Sequence, residues 1–160
     1  MPEAVIVATG RTPIGRAFKG SLVECRPDDL AALAIKEVVA KVSALDPATI
    51  EDVILGCGQP GGESGFNIAR VAALLAGIDA PGITVNRYCS SSLNSIRIAA
   101  HAIKAGEGDV FVAAGVETSS RFQFGMADDG PKNPLFEAAG ERSAKRSEGG
   151  GAPWEPPAGL

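Results

Sequence analysis

The chain has 160 residues, 45% of them hydrophobic and 21% charged, with 15 basic residues against 19 acidic ones for a net charge of −4. That is one ordinary domain by size, long enough to bury a core. The acidic balance and the lack of any long Lys/Arg run argue against a nucleic-acid partner, and no apolar run approaches the ~20 residues that span a bilayer.

Val5–Ala8 is a short β-branched run ahead of Thr9-Gly10 and reads as a first strand. Arg11 to Cys25 is broken by Pro13, Gly15 and Gly20. Asp28 and Asp29 then open a helical pattern that runs to about Val42. Leu30, Leu33, Ala34 and Val38 recur at helical spacing, and the two acids sit where the helix dipole favours them. Ser43–Glu51 is a connector carrying Asp46-Pro47, and Asp52–Cys57 reads as a buried second strand.

The Gly-rich loop Gly58–Gly65 leads to a helix that Asn67 can cap and Gly77 can end. Ile83–Asn86 is the third predicted strand, after a turn at Pro81-Gly82. A helix follows over Ser91–Ala105, with Leu93, Ile96, Ala100 and Ile103 on one stripe and Gly106 at its end. Val110–Val116 is the fourth strand. Strands alternating with helices of this length predict an α/β fold: βαβ units, a mostly parallel sheet and helices packed on it.

The tail differs. Thr118–Leu160 holds seven Gly and five Pro in 43 residues, more than twice the ~12% background for the pair. Only Pro134–Arg146 could form a helix there, and it would be mostly polar. So little apolar surface cannot repay much ordering entropy. The expectations for this segment are disorder, or an excursion that docks on something else.

Three cysteines, Cys25, Cys57 and Cys89, are widely spaced and odd in number, which does not suit a disulfide framework. The opening residues lack a basic n-region and a long apolar stretch, so no secretory signal is expected. Reduced thiols in a cytoplasmic setting follow as the expectation. A single His with no CxxC or HxxxH pattern points away from a metal site.

The most informative segment is Thr84–Ser95, TVNRYCSSSLNS, where a thiol sits at the bend from a strand into a helix. In open parallel sheets, sites form beyond the carboxyl ends of the strands. Helix N-termini leave backbone N–H groups unpaired. Those groups favour thiolate over thiol and can hold a developing oxyanion. Cys89 is therefore the candidate nucleophile, with Ser90, Ser91 and Ser92 small enough to leave access. The plain alternative is that Cys89 is a small buried hydrophobe.

This segment resembles the reactive-cysteine motif of the thiolases, and three others agree in order. Arg11-Thr12-Pro13-Ile14-Gly15 resembles the family's opening motif R-T-P-I/F-G. Asn67-Ile68-Ala69-Arg70 resembles N-x-A-R, and Gly115-Val116-Glu117-Thr118-Ser119-Ser120 resembles G-G-x-E-S-M-S. The resemblance implies acyl transfer between coenzyme A thioesters through an acyl group on Cys89, by Claisen condensation or by thiolysis of a 3-ketoacyl-CoA. Acetyl-CoA and acyl-CoA enter as substrates, and no metal or redox cofactor is implied. β-Ketoacyl synthases share the ancestral fold and a cysteine at the same bend, but the RTPIG and GVETSS segments favour a thiolase.

The resemblance covers residues 1–120 as an N-terminal α/β domain and 121–160 as the start of an inserted loop domain. A thiolase is well over twice as long, and its first domain takes its final strand from beyond the insertion, so the sheet here should lack one strand. The C-terminal domain has no counterpart, and its N-E-A-F, G-H-P and C-x-G-x-G motifs do not occur in these residues. The full cycle is therefore not expected of this chain alone. A homodimer or tetramer is expected, or a second chain that supplies the missing half. A non-catalytic or partner-dependent subunit is the alternative.

The remaining polar residues carry weaker expectations. Cys57, in Gly56-Cys57-Gly58-Gln59-Pro60-Gly61-Gly62, imitates the second cysteine motif but follows a strand and reads as structural. His101 lies 12 residues along the helix from Cys89, roughly 18 Å at helical rise, beyond the ~3 Å reach of a base. Asn86 reads as an anchor for the bend, and Glu117 as an acceptor for loop N–H groups. Arg70 is expected to pair with a nearby acid or to cross an interface. Lys132, Arg142, Lys145 and Arg146 could meet coenzyme A phosphates or simply form a solvated face.

Overall fold

A computed structural model describes residues 2–121 and Ala144. The chain divides into two units, Met1–Ala127 and Asp128–Leu160, and only the first is described below. The predicted helix at Pro134–Arg146 lies, Ala144 aside, outside the described residues, as do Lys132, Arg142, Lys145 and Arg146.

Three helices and three strands alternate: α1 (Pro27–Ala40), β1 (Asp52–Gly56), α2 (Ile68–Leu75), β2 (Gly82–Val85), α3 (Ser91–Ala105) and β3 (Phe111–Gly115). The strands form one parallel sheet in the order β2-β1-β3. The central strand β1 is buried on both faces, with Val53, Ile54 and Leu55 at 0–1% exposure, which is why its sequence is continuously apolar rather than alternating.

Strand alternation sorts the two faces. Val53, Leu55 and Cys57, with Val112, Ala114 and Val116, pack with Ala31, Ile35, Ile68 and Ala72 in one core under α1 and α2. The intervening positions, Ile54, Gly56 and Gly115, turn toward α3 on the opposite face. There the backbone of α3 lies almost on the sheet. A Cβ at Gly56 would collide with the Ser91–Ser92 backbone, and one at Gly115 would come within 2.5 Å of the Ser92 side chain.

Two expectations change here. Val5–Ala8 is not a strand: Val5, Ile6 and Val7 are 66–75% exposed and pair with nothing among the described residues. A β-branched run supplies propensity, but a strand needs a hydrogen-bonded neighbour, and the outer edge of β3 is unpaired among the described residues. The buried faces of two helices also differ from the predicted stripes. α3 buries Ser91, Ser95, Ala99 and Ala102, while Leu93 is 68% and Ile96 43% exposed. α1 buries Ala31, Ala32 and Ile35 and leaves Leu33 exposed. On α3, small side chains face the sheet because its backbone approaches too closely for large ones.

Local chemistry fixes the element ends. Pro27 at the first turn presets φ for α1, and Gly106 ends α3 in the left-handed region at φ 78°. Asn67 does not cap α2 as predicted. It is itself left-handed, at φ 58°, and its amide is committed to β2, donating to the Gly82 carbonyl and accepting from the Thr84 hydroxyl. The Thr84 hydroxyl accepts from the Ala69 N–H in its place.

An ion network joins three loops beside the sheet. Arg26 grips Asp28 with two hydrogen bonds and reaches Glu63, which Arg121 grips with two more at 2.6 Å. Burial tends to raise the Asp28 pKa, but the Arg26 hydrogen bonds and the Asp29 amide outweigh it and hold the carboxyl below its usual range. The Arg121 hydrogen bonds hold Glu63 down too. Depressed folded-state values mean stability that is present above the unfolded carboxyl range, near pH 4, and lost as pH falls through the folded values. The urea midpoint should therefore drop on acidification below about pH 4, and only modestly, because Arg26 is nearly half exposed and the network is screened by solvent. Glu63→Gln should flatten that pH dependence, as read by urea titrations at a series of pH values.

Candidate active site

The cleft lies where the carboxyl ends of β1 and β3 meet the start of α3, the kind of position parallel sheets offer to ligands. It encloses about 540 Å³, and its lining includes Gly58, Tyr88, Cys89, Ser92, Glu117 and Ser119. Cys89 sits in a single 3-10 turn, Tyr88–Ser90, that runs directly into α3, and it is exposed. No side chain caps the N-terminus of α3.

The turn is built under constraint. Tyr88, immediately before the cysteine, is left-handed at φ 48°, a conformation costing about 1–2 kcal/mol for a residue with a Cβ. Such outliers persist only where neighbours hold them. Two side chains hold this one. Asn86 Oδ1 accepts from the Tyr88 N–H at 2.8 Å, while its Nδ2 donates to the Gly58 carbonyl at 2.9 Å. Ser91 Oγ accepts from the Arg87 N–H and donates to the Tyr88 carbonyl. Ser91 is 4% exposed and lines the cleft, where its hydroxyl clamps the turn. Ser95, one helical turn on, is fully buried and shares its hydroxyl proton between the Ser92 and Ala114 carbonyls, pinning α3 to β3.

Glu117 follows β3 into the same cleft. It accepts from the Gly58 N–H at 2.8 Å and the Gln59 N–H at 3.3 Å, the acceptor role expected for it. Cys57 is buried among the side chains under α1 and α2, and its thiol lies 3.7 Å from the Glu117 carboxylate. Burial first, and the Glu117 charge second, raise the Cys57 pKa and keep it a neutral thiol. All three cysteines are free. His101 is exposed on α3. Arg70 pairs with Asp79 and also donates to the Ala80 carbonyl, so it meets an acid within its own neighbourhood. Among the described residues, no helix is long and apolar enough to cross a membrane.

The structure thus brings Cys89 and Glu117 to one cleft, with Asn86 anchoring the turn beside it, and leaves His101 exposed on α3. The roles of Ser91 and Ser95 were missed from sequence. A serine in the opening turns of a helix, like Ser91 or Ser95 in α3, carries no signal of which backbone groups it will meet across a turn or a sheet.

The comparisons fit this geometry. The sequence profile of the thiolase N-terminal domain matches residues 4–139. A 3-oxoadipyl-CoA/3-oxo-5,6-dehydrosuberyl-CoA thiolase of Escherichia coli is 48% identical over 128 residues, 79% of this chain and 32% of that protein. A 3-ketoacyl-CoA thiolase of Bacillus subtilis is 48% identical over 123 residues, 76% of this chain and 31% of its own. A 3-ketoacyl-CoA thiolase of Shewanella loihica is 51% identical over 119 residues, 73% of this chain and again 31% of its own. The chain spans about a third of the length of these curated relatives. With a parallel α/β sheet, a cysteine at the head of α3 and this match over most of its length, the chain belongs to the thiolase family, in the part of it formed by the N-terminal domain.

Proposed function

We propose that this chain carries the acyl-accepting cysteine of an acetyl-CoA acetyltransferase or 3-ketoacyl-CoA thiolase, with Cys89 as the nucleophile. The observation that carries the reading is the exposed Cys89 thiol at the uncapped start of α3, inside a cleft at the carboxyl end of a parallel sheet. The Cys89 sulfur attacks the thioester carbonyl carbon. A new C–S bond forms, the bond to the coenzyme A sulfur breaks, and the proton lost by Cys89 leaves with the coenzyme A thiol. Free N–H groups at the start of a helix favour the thiolate and stabilise the oxyanion between the two bonds. This step consumes no metal or redox equivalent. Its acyl-enzyme is then the electrophile for a second acetyl-CoA in condensation; in thiolysis the Cys89 sulfur instead attacks the 3-keto carbon of a 3-ketoacyl-CoA, the C2–C3 bond breaks, acetyl-CoA leaves with a proton gained at its α carbon, and coenzyme A takes the acyl group from Cys89.

The second half-reaction draws, on this reading, on groups outside these 160 residues, in a longer polypeptide or a partner chain. The same reading gives residues 1–120 as the α/β domain and 121–160 as the start of an inserted segment. Assembly as a dimer or tetramer is part of the proposal, supported by sheet edges that are unpaired among the described residues and the 45% exposure of Ile83 on β2. A cytoplasmic setting is part of it too, supported by three free thiols.

The test is mass spectrometry of the chain before and after incubation with acetyl-CoA, followed by peptide mapping. A mass of 16.3 kDa raised by one acetyl group, located on Cys89, is the expected result. An adduct on Cys25 or Cys57, or none on any cysteine, overturns Cys89 as the acyl acceptor of this chain.

A further inference from the structure

A continuous set of contacts runs from the end of β3 to the turn that carries Cys89. Glu117 takes the Gly58 and Gln59 N–H groups. The Gly58 carbonyl takes the Asn86 amide, and the Asn86 oxygen takes the Tyr88 N–H. Space is as constrained as the hydrogen bonding. A Cβ at Gly58 would lie 3.0 Å from Glu117 Oε2 and 3.3 Å from Tyr88 Cα, so the carboxylate and the strained residue grip the same peptide from two sides. The Gly58 N–H has no protein acceptor other than Glu117 among the described residues, while the Gln59 N–H also faces the Cys57 sulfur. Glu117 itself makes no hydrogen bond to Cys89, and both of its oxygens are engaged by loop donors.

We propose that Glu117 is a positioning residue for Cys89: by holding the Gly58–Gln59 loop it fixes Asn86, and through Asn86 the left-handed Tyr88 that aims the thiol into the cleft. Removing the carboxylate frees two amides to water and leaves Asn86 anchored to a loose carbonyl. Tyr88 then relaxes toward ordinary φ, and the thiol loses its place at the head of α3. Glutamine keeps the length of the side chain and one oxygen for the strong Gly58 contact, giving up the longer contacts from the Gln59 N–H and the Cys57 thiol. Geometry therefore predicts that Gln rescues and Ala does not, whereas a role for the negative charge predicts that both fail.

The inference deepens the reading of Cys89 as the acyl acceptor and rests on it for its meaning, so its test is read without acetyl-CoA. Iodoacetamide alkylation of Cys89 at neutral pH is followed by peptide mass spectrometry, with half-buried Cys25 in the same chain as the standard for general loosening. In Glu117→Ala, Cys89 alkylation is expected to fall about ten-fold, the scale of a sub-ångström misplacement, with Cys25 unchanged. Glu117→Gln is expected to recover most of the rate. The proposal is overturned if Glu117→Ala leaves the Cys89 rate unaltered, if Cys25 changes in step with Cys89, or if Glu117→Gln behaves like Glu117→Ala. Alkylation that depends on Glu117 in a chain that never accepts an acetyl group would keep the positioning role and reject the acyl-transfer reading. The reverse pattern would do the opposite.

Discussion

Cys89→Ala is expected to abolish acetyl uptake from acetyl-CoA while leaving the fold intact. The side chain is exposed, so its loss removes little buried surface and should move stability by no more than about 0.5 kcal/mol. The chemical loss is far larger, because removing the nucleophile of a covalent mechanism lowers turnover by factors on the order of 10⁶. Neither remaining cysteine can substitute. Cys57 is fully buried and held neutral by its surroundings, and Cys25 is not among the residues lining the cleft. Cys89→Ser should be almost as inactive, since an alcohol with no base beside it is a weak nucleophile at neutral pH. Urea unfolding and acetyl labelling of the two variants check both halves of the expectation. An alanine chain that still takes up one acetyl group would remove Cys89 from the chemistry.

The strand–helix alternation was legible because buried parallel strands read as short apolar runs and helices end on glycine, as at Gly106. The site was legible at Cys89, Asn86 and Glu117, because each residue type at a strand end has few uses. Three features were not legible. Val5–Ala8 has the composition of a strand, but pairing depends on a neighbour that a local pattern cannot supply. The left-handed conformation of Tyr88 is invisible because the residue is not glycine, and nothing local asks for positive φ. It is imposed by Asn86 and Ser91 from outside the turn. The inward face of α3 was misread because the largest apolar residues on a helix are normally its buried stripe. That rule assumes a helix standing about 10 Å from its neighbour, with room for leucine between.

The shared cause of the last misreading is glycine in the strands, and it supports the second large effect. Gly56 and Gly115 are partners in register at the ends of β1 and β3, and both lie under the first residues of α3. Gly56→Val would place three carbons where the Ser91–Ser92 peptide now sits. Overpacking a close contact costs about 1–3 kcal/mol when side chains can give way. Here the obstacle is backbone, held down by Ser95 through two carbonyls, so about 3 kcal/mol or more is expected. Against a domain stability of roughly 5–15 kcal/mol, that is a large share. Whatever fraction is relieved by lifting the head of α3 carries Cys89 away from Gly58 and Glu117, so reactivity should fall together with stability. Gly106→Ala provides the contrast at the other end of the same helix. It meets open space, and its φ of 78° makes it a backbone problem alone, worth about 1 kcal/mol, with Cys89 undisturbed. Urea midpoints and Cys89 labelling rates of the two variants separate the effects. If Gly56→Val loses no more stability than Gly106→Ala, or loses it without slowing Cys89, then close seating of α3 on the sheet does not set the position of the thiol.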